Sequence, residues 1–586
     1  MSRPGVPSAA APLSSDAWSG PLLAGVVLAL VVPRLVLLAA GPDAHLSLMV
    51  DDASYYLEAA RRAVATGAWP NTDGMHPTNG FHPLYMGLLM LVQRLFGEAP
   101  RTVLPVVFAL NLALNAGAIA VLVRVLRRRA GRGFAAAALV LALDPGWLLH
   151  GTLAVENGLS SLLLLAVVLR WDARFGEDAP QAAWRARAID GVLLGLAILG
   201  RTDAALWAFG YGLGALVVVT RARGLRAACV EVGAIALVAA LVVAPWAIAN
   251  LRLFGTLAQD SAAALALRYG LDQGPRLSPG GLRAAAMSVG FWLFRFLWAG
   301  GLVPVTAWLW GRILPLDRFR APSRTTIAGA FVMALAVVAM LLRANDTTDI
   351  RDGRIAALEM GLGTLGLVAG LISARAEGAR WRPVHTLVVG VTLLDVMAYA
   401  VGFRGFQVWY ATGPSLACVL LVASEAMPGA LAGRRALATA LVALMAVQCG
   451  LTVRDALARG GIEGMDRHIL AEGEALRGRL EAFVADSPTP VVFGSFDSGE
   501  LAYRIHPFPV INLDGVMNHE AAVAIQHRAL AAYMRRVGVT HLLTSPLRIE
   551  QYRRVDPFAA TFDSAATARL GLSVWVLGRD TTAVAR

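Results

Sequence analysis

The chain is dominated by a succession of apolar runs, the longest of them about twenty residues, separated by short arginine-rich segments. A helix needs roughly 20 apolar residues to cross the hydrocarbon core of a bilayer, because each residue advances it only about 1.5 Å. Pro21 to Ala40 and Val103 to Leu126 meet that length. With 57% hydrophobic and only 16% charged residues over 586 positions, the chain is too apolar for a soluble domain and reads as a polytopic α-helical membrane protein. Its formal charge of +12 would suggest nucleic acid in a soluble protein. Here the arginines gather between apolar runs, as cytoplasmic loops require, so the expected partners are membrane lipids and no nucleic acid. There is no lysine, so any fixed cation is an arginine, whose planar fork suits phosphate. Cys229, Cys418 and Cys449 all lie in apolar runs, which leaves neither a disulfide framework nor metal-ligand spacing.

Arginine clusters taken as cytoplasmic markers give the threading. Residues 1–20 form a cytoplasmic tail, Pro21 to Ala40 an uncleaved first span, and 41–101 a long first outer loop. Val103 to Leu126 returns to Arg127, Arg128 and Arg129. Further spans are expected at Phe134 to Leu149, Gly158 to Leu169, two meeting at Arg201-Thr202-Asp203, Ala234 to Ile248, Phe291 to Trp310, Ile327 to Leu342, Ala356 to Ile372, Leu387 to Val401, Pro414 to Met427 and Leu437 to Cys449. Arg170, Arg174, Arg185 and Arg187 are read as one cytoplasmic loop. Pro83 to Phe96 is too short to span and is expected at the outer interface. The transmembrane module is therefore 21–451, with about thirteen transmembrane helices, and the odd count puts the C-terminus outside. From 452 to 586 charges rise and apolar runs shorten to Val491 to Phe493, Val510 to Leu513, His541 to Leu543 and Ser573 to Leu577, with helical stretches at Ala471 to Val484 and Glu520 to Val537. This predicts a C-terminal extracytoplasmic α/β domain.

The first outer loop carries the densest polar chemistry. Asp51-Asp52-Ala53-Ser54-Tyr55-Tyr56 opens an amphipathic helix that stops at Gly67, and His76-Pro77-Thr78-Asn79-Gly80-Phe81-His82-Pro83 leads into the next one. Asp51 could cap its own helix, which accounts for one aspartate and not for two. A paired carboxylate beside a membrane can instead act as a general base or hold a divalent cation, magnesium or manganese, although His76 and His82 without clustered carboxylates do not make a zinc site. In the terminal domain Asp497 and Asp514 follow strand ends, where turn formation competes with acceptor binding.

In order along the chain, these pieces resemble the C-type superfamily of polyprenyl-phosphate-dependent glycosyltransferases, as in bacterial protein O-mannosyltransferases and lipid A aminoarabinose transferases. The stretch DDASYY…TNGFHPLY is similar to a DDAYYY…TNGFHPLW pattern in a group of bacterial membrane transferases. Val155-Glu156-Asn157-Gly158-Leu159 resembles MExxL, Gly195-Leu196 with Arg201-Thr202-Asp203 resembles GLxxLxRxD, Pro245-Trp246 with Asn250 and Phe254-Gly255 resembles PWxxxNxxxFG, and Trp409-Tyr410 with Pro414 resembles RYYxxxxP. Where some relatives have a KPPL lysine, this chain has Phe81-His82-Pro83-Leu84.

The resemblance implies an inverting sugar transfer at the outer face of the bacterial cytoplasmic membrane, from a polyprenyl-phosphate-linked sugar to a glycan, lipid or protein acceptor. By position Asp51 is the base, with Asp52 its alternative or partner and Glu156 a second acidic residue. An ordinary aspartate is ionised at neutral pH, so the role asks for no unusual pKa. His82, Arg201, Arg404 and Tyr410 are the expected donor-phosphate ligands. Tyr55, His76, Asn79, Asp497 and Asp514 are candidates for holding the acceptor. Donor binding is expected before Pro414, and acceptor binding in the terminal domain. No cofactor is required, and a divalent cation at Asp51 and Asp52 is the alternative. Two rival readings are a transporter, with Asp395 in an ion path, and an inactive binding protein of the same fold.

Overall fold

The computed structural model describes residues 19–42, 49–129, 154–175, 183–273 and 469–578, with isolated positions at 45–46, 278–279, 282 and between 384 and 457. The spans expected at 134–149, 291–310, 327–342, 356–372 and 414–427, together with Arg404 and Tyr410, lie outside the described residues.

The described N-terminal part is helical. It comprises α1 (Ser19–Ala39), α2 (Asp51–Thr66), α3 (Pro83–Phe96), α4 (Pro100–Arg129), α5 (Asn157–Phe175), α6 (Trp184–Gly200), α7 (Ala204–Arg223), α8 (Leu225–Phe254) and α9 (Asp260–Gln273). Within it Pro100–Val121, Ala204–Arg223 and Leu225–Phe254 are long and apolar enough to cross a membrane, as expected of a membrane protein. Helix α2 ends where Gly67 adopts φ 69° and its N–H bonds the Ala63 carbonyl, a left-handed cap that glycine takes without strain. Helix α3 starts on Pro83, which needs no N–H partner in the first turn, and buries Tyr85, Met86, Leu89 and Val92 while Leu91, Leu95 and Phe96 stay exposed.

Several helices run past the boundaries read from the sequence, and the reason is electrostatic. Helix α8 begins nine residues before Ala234, α5 continues through Arg170 and Arg174, and α6 already contains Arg185 and Arg187. Those four arginines are therefore on helices and not in one loop. Arg170 bonds Asp190 at 2.6 Å, Arg174 bridges Asp190 and Glu231, and Arg187 reaches Glu231 at 3.0 Å. Pairing across helices lets charges that look like loop residues sit inside the bundle. Glycines set the helix spacing: a Cβ on Gly191 or Gly195 would lie 2.5 or 2.6 Å from Val238 or Val242 of α8.

The C-terminal part holds a five-stranded sheet in the order β2-β1-β3-β5-β4, from β1 (Phe493–Ser495), β2 (Ile511–Asn512), β3 (His541–Leu543), β4 (Ala560–Phe562) and β5 (Val574–Leu577). Strands β2, β1 and β3 are parallel, and β5 and β4 add antiparallel. Around the sheet lie α10 (Ile469–Asp486), α11 (Gly499–Arg504), α12 (His519–Gln526), α13 (Leu530–Arg536), α14 (Pro546–Val555) and α15 (Ser564–Leu570). The single stretch read over Glu520 to Val537 is two helices, broken where Arg528 takes φ 52°. The edge strand β4 was not expected, because its residues are only half-buried to exposed and leave no apolar run to read.

Asp190 offers a direct test of the ionic packing. Asp190→Ala leaves the buried Arg174 guanidinium without one of its two carboxylates and should destabilise the protein by about 3–5 kcal/mol. Thermal unfolding in detergent measures the loss, and an unchanged midpoint would contradict this role.

Candidate active site between the first loop and the terminal sheet

The acidic motif is built into a contact between α2 and the C-terminal part. Asp51 does not cap its own helix: the N-cap is Val50, with no side-chain capping bond, and Asp51 stands in the first turn. Its Oδ1 instead accepts the Glu500 N–H at 2.7 Å, in the first turn of α11, whose N-cap Ser498 provides no capping bond of its own. Gly499 makes this approach possible, since a Cβ there would lie 2.7 Å from Asp51 Oδ1 and 2.8 Å from Tyr55 Cδ2.

The two tyrosines of the motif are likewise committed. Tyr55 Oη donates to Asp514 Oδ2 at 3.1 Å and accepts from Ser498 N–H at 2.9 Å and Asn512 Nδ2 at 3.1 Å. It orders the ends of β1 and β2, so its hydroxyl is already engaged and is not offered to an acceptor. Tyr56 Oη accepts the His82 N–H at 2.9 Å.

The second motif works residue by residue. Asn79 accepts the Asp260 N–H at 2.8 Å and donates to the Ala258 carbonyl at 3.0 Å, tying the loop to the start of α9. Gly80 meets the terminal part so closely that a Cβ would fall 1.9 Å from the Val516 carbonyl oxygen. Phe81 packs against Trp246, ring centroids 5.3 Å apart. His76 pairs with Asp73 at 2.7 Å and meets Tyr533 edge-on. His76 and Asn79, expected as acceptor ligands, are therefore loop clamps.

Glu156 sits in the turn before α5, where Ala154 takes φ 55°. Arg201 donates to its Oε1 at 3.1 Å and to both Asp203 oxygens at 2.9 Å, and Tyr399 donates to Asp203 as well. Expected as a phosphate ligand, Arg201 is instead engaged by two carboxylates and acts as the support behind Glu156. His82 Nδ1 accepts the Thr202 N–H at 3.2 Å, which fixes the proton on Nε2, 3.4 Å from Glu156 Oε1. Burial lowers the His82 pKa, opposed by Glu156, so the ring is neutral and its Nε2–H is a donor.

These groups face one cavity of about 1080 Å³. On one side are Asp51, Asp52, Tyr55, Tyr56, His82 and Glu156; on the other are Asp497, Glu500, Asp514, Arg479, Arg504 and Arg548. Of the site residues read on the first loop, Asp51, Asp52, Tyr55 and His82 thus share a single space with Asp497 and Asp514 of the terminal part, and His76 and Asn79 do not. Arg548 pairs with Asp497, and Arg504 with Glu500 at 2.8 Å and Glu472 at 3.3 Å. The three arginines were missed in the sequence. A usable signal was present, because Asp497, Asp514 and Ser545 all follow the carboxyl ends of the parallel strands, where open α/β sheets hold ligands.

Burial holds the Asp51 carboxyl well above the ordinary carboxylate range; the Glu500 N–H opposes this, and Asp52, Asp497 and Asp514 push it further up. Among the described residues no group of three or more His, Cys, Asp or Glu side chains is placed to hold a metal. Asp51 and Asp52 alone would leave a magnesium or manganese ion to complete its shell with water and substrate oxygens. Asp395, the residue of the transporter reading, accepts from Trp207 Nε1 at 2.8 Å.

No protein-family model and no curated protein matches the sequence. Among solved structures the chain is similar to ArnT from Cupriavidus metallidurans bound to undecaprenyl phosphate, with 16% identity and a TM-score of 0.44 over 96% of this chain and 98% of that one. It is also similar to the oligosaccharyltransferase AglB from Archaeoglobus fulgidus in complex with an inhibitory peptide and a dolichol-phosphate, with 13% identity and a TM-score of 0.42 over 95% of this chain and 74% of that one. Similarity to the arabinofuranosyltransferase AftD from Mycobacteria, at 15% identity and a TM-score of 0.38, covers 95% of this chain and 40% of that one.

Gly80→Ala drives a methyl group into the Val516 carbonyl, and the strain should cost about 1–3 kcal/mol of the contact between the two parts. Faster limited proteolysis between residues 452 and 586, with the helical part intact, is the expected result; wild-type resistance would show that Gly80 is not a contact point.

Proposed function

We propose that the protein is an inverting glycosyltransferase that moves a sugar from a polyprenyl-phosphate donor to an acceptor hydroxyl at the outer face of the cytoplasmic membrane. Asp51 is the base. It takes the proton from the acceptor oxygen as that oxygen bonds the anomeric carbon, and the bond from that carbon to the lipid phosphate oxygen breaks with its electron pair leaving on the phosphate. The observation that carries this reading is the convergence of Asp51, Asp52, Glu156 and His82, from three separate segments, on one cavity roofed by the strand ends. A raised pKa makes Asp51 a stronger base than an exposed aspartate. The neutral His82 Nε2–H is a donor suited to the departing phosphate or the acceptor oxygen, and Glu156, held by Arg201, sets its direction. Acceptor recognition belongs to Asp497, Asp514 and the arginines of the terminal part.

Asp51→Asn tests the base. The amide oxygen can still accept the Glu500 N–H, so the variant should fold and insert, while transfer from a purified polyprenyl-phosphate sugar falls by about 10²–10⁴-fold. Turnover within a few-fold of wild type would remove Asp51 from the chemistry.

The pH profile tests its environment. The base must be ionised, so kcat/KM should fall on the acid side at a pH above that of an ordinary aspartate. Asp52→Asn removes one of the charges that raise the Asp51 pKa, and the acid limb should move to lower pH. A limb that stays in place or moves upward would contradict the assignment.

A further inference from the structure

Along the middle turns of three helices lies a second space. It is a groove of about 550 Å³ among α6, α7 and α8, lined by apolar side chains such as Leu194, Phe209, Leu213, Leu216 and Ile235. Tyr211 is the one lining residue with a polar side chain, and its hydroxyl donates to Asp190 at 2.8 Å. That bond joins the groove to the ionic cluster of α5–α8. There Asp190 and Glu231 face Arg170, Arg174, Arg187 and Arg223, four guanidinium groups against two carboxylates. Among these ion pairs of the described residues guanidinium groups outnumber carboxylates. Arg174 is nearly fully buried with its Nε unbonded. Arg170, Arg187 and Arg223 keep 30%, 25% and 33% of their side chains exposed, and Arg223 reaches Glu231 only at 3.9 Å.

We propose that this groove and cluster form a binding site for an anionic glycerophospholipid, with an acyl chain in the groove and the phosphate on Arg187 and Arg223. An apolar slot joined through Tyr211 and Asp190 to an arginine-rich cluster matches a molecule whose chain and phosphate are covalently joined, and basic pockets between membrane helices hold such head groups. Phe209 and Leu213, 61% and 49% exposed on the described surface, leave the slot open on the side from which a lipid would enter. Charge complementarity selects the class of lipid. A choline head group would bring its own cation against the arginines, whereas phosphatidylglycerol brings none. The site is separate from the cavity of the proposed transfer, and its occupancy does not depend on that reading.

The test uses the full chain, purified in detergent and titrated with phosphatidylglycerol, phosphatidylcholine or glycerol phosphate, and followed by native mass spectrometry and thermal unfolding. Phosphatidylglycerol should be retained and raise the midpoint, with a preference on the order of tenfold over phosphatidylcholine, and glycerol phosphate should do neither. Arg187→Gln with Arg223→Gln should erase the preference while leaving the phosphatidylcholine response unchanged. Should that pair fail to give a monodisperse protein, Arg223→Gln alone should weaken the preference, and Leu213→Trp, which fills the groove, should reduce retention of phosphatidylglycerol. Equal responses to the two lipids, no lipid bound at all, reproduction of the effect by glycerol phosphate, or a preference that survives these substitutions would each overturn the proposal.

Discussion

The contact between the loop after α2 and the ends of the parallel strands is the constraint on which the cavity depends. Two glycines make it: Gly80 admits the Val516 carbonyl, and Gly499 admits Asp51 and Tyr55. Neither position has room for a side chain, so backbone meets backbone and the polar groups nearby must find partners across the seam. Tyr55 Oη alone serves Asp514, Ser498 and Asn512. His519 bonds Asp260 at 2.8 Å, and His506 bonds Glu58 at 2.9 Å. Separated, the two parts would each present half of a cavity lining.

This arrangement sets folding against chemistry at Asp51. Its pKa is raised in the docked state, so the stabilisation from its protonated form is complete below the ordinary aspartate value and disappears as pH rises through the raised one. His519, raised by its bond to Asp260, acts in the same sense: its contribution is complete below the ordinary histidine value and is lost as pH climbs through the higher one. Both groups thus give up part of their support as pH rises. The proposed proton abstraction by Asp51 needs the ionised form, and the Glu500 N–H is placed to hold the carboxylate. Strain of this kind is common where a site is built from groups that would be more stable elsewhere.

Much of this was legible in the sequence, and what was not has physical causes. Apolar run length located α4, α7 and α8, and short apolar runs located β2, β3 and β5 and met β1 at Phe493. Helix ends were read short wherever a charge was neutralised by a distant partner, as Glu231 is by Arg174 and Arg187, because pairing across helices leaves no local trace. The acidic pair, Glu156 and His82, singled out in the sequence as site candidates, line one cavity. The roles of Tyr55, Asn79 and Arg201 were not legible, since each depends on a partner from 44 to several hundred residues away. Arg479, Arg504 and Arg548 carried no motif and stand at the cavity only because the sheet brings its strand ends there.

The central claim is that Asp51 and the terminal helix at Gly499 work as one unit, and a double-mutant cycle on kcat/KM measures it directly. Asp51→Asn, Gly499→Ala and the double variant would be compared with the parent under one set of donor and acceptor concentrations. If Gly499→Ala acts by displacing the Asp51 carboxylate, the double variant should be little worse than Asp51→Asn alone, a coupling of about 1–3 kcal/mol. Simple addition of the two losses, with both proteins folded, would mean that the terminal part closes the cavity without placing the base.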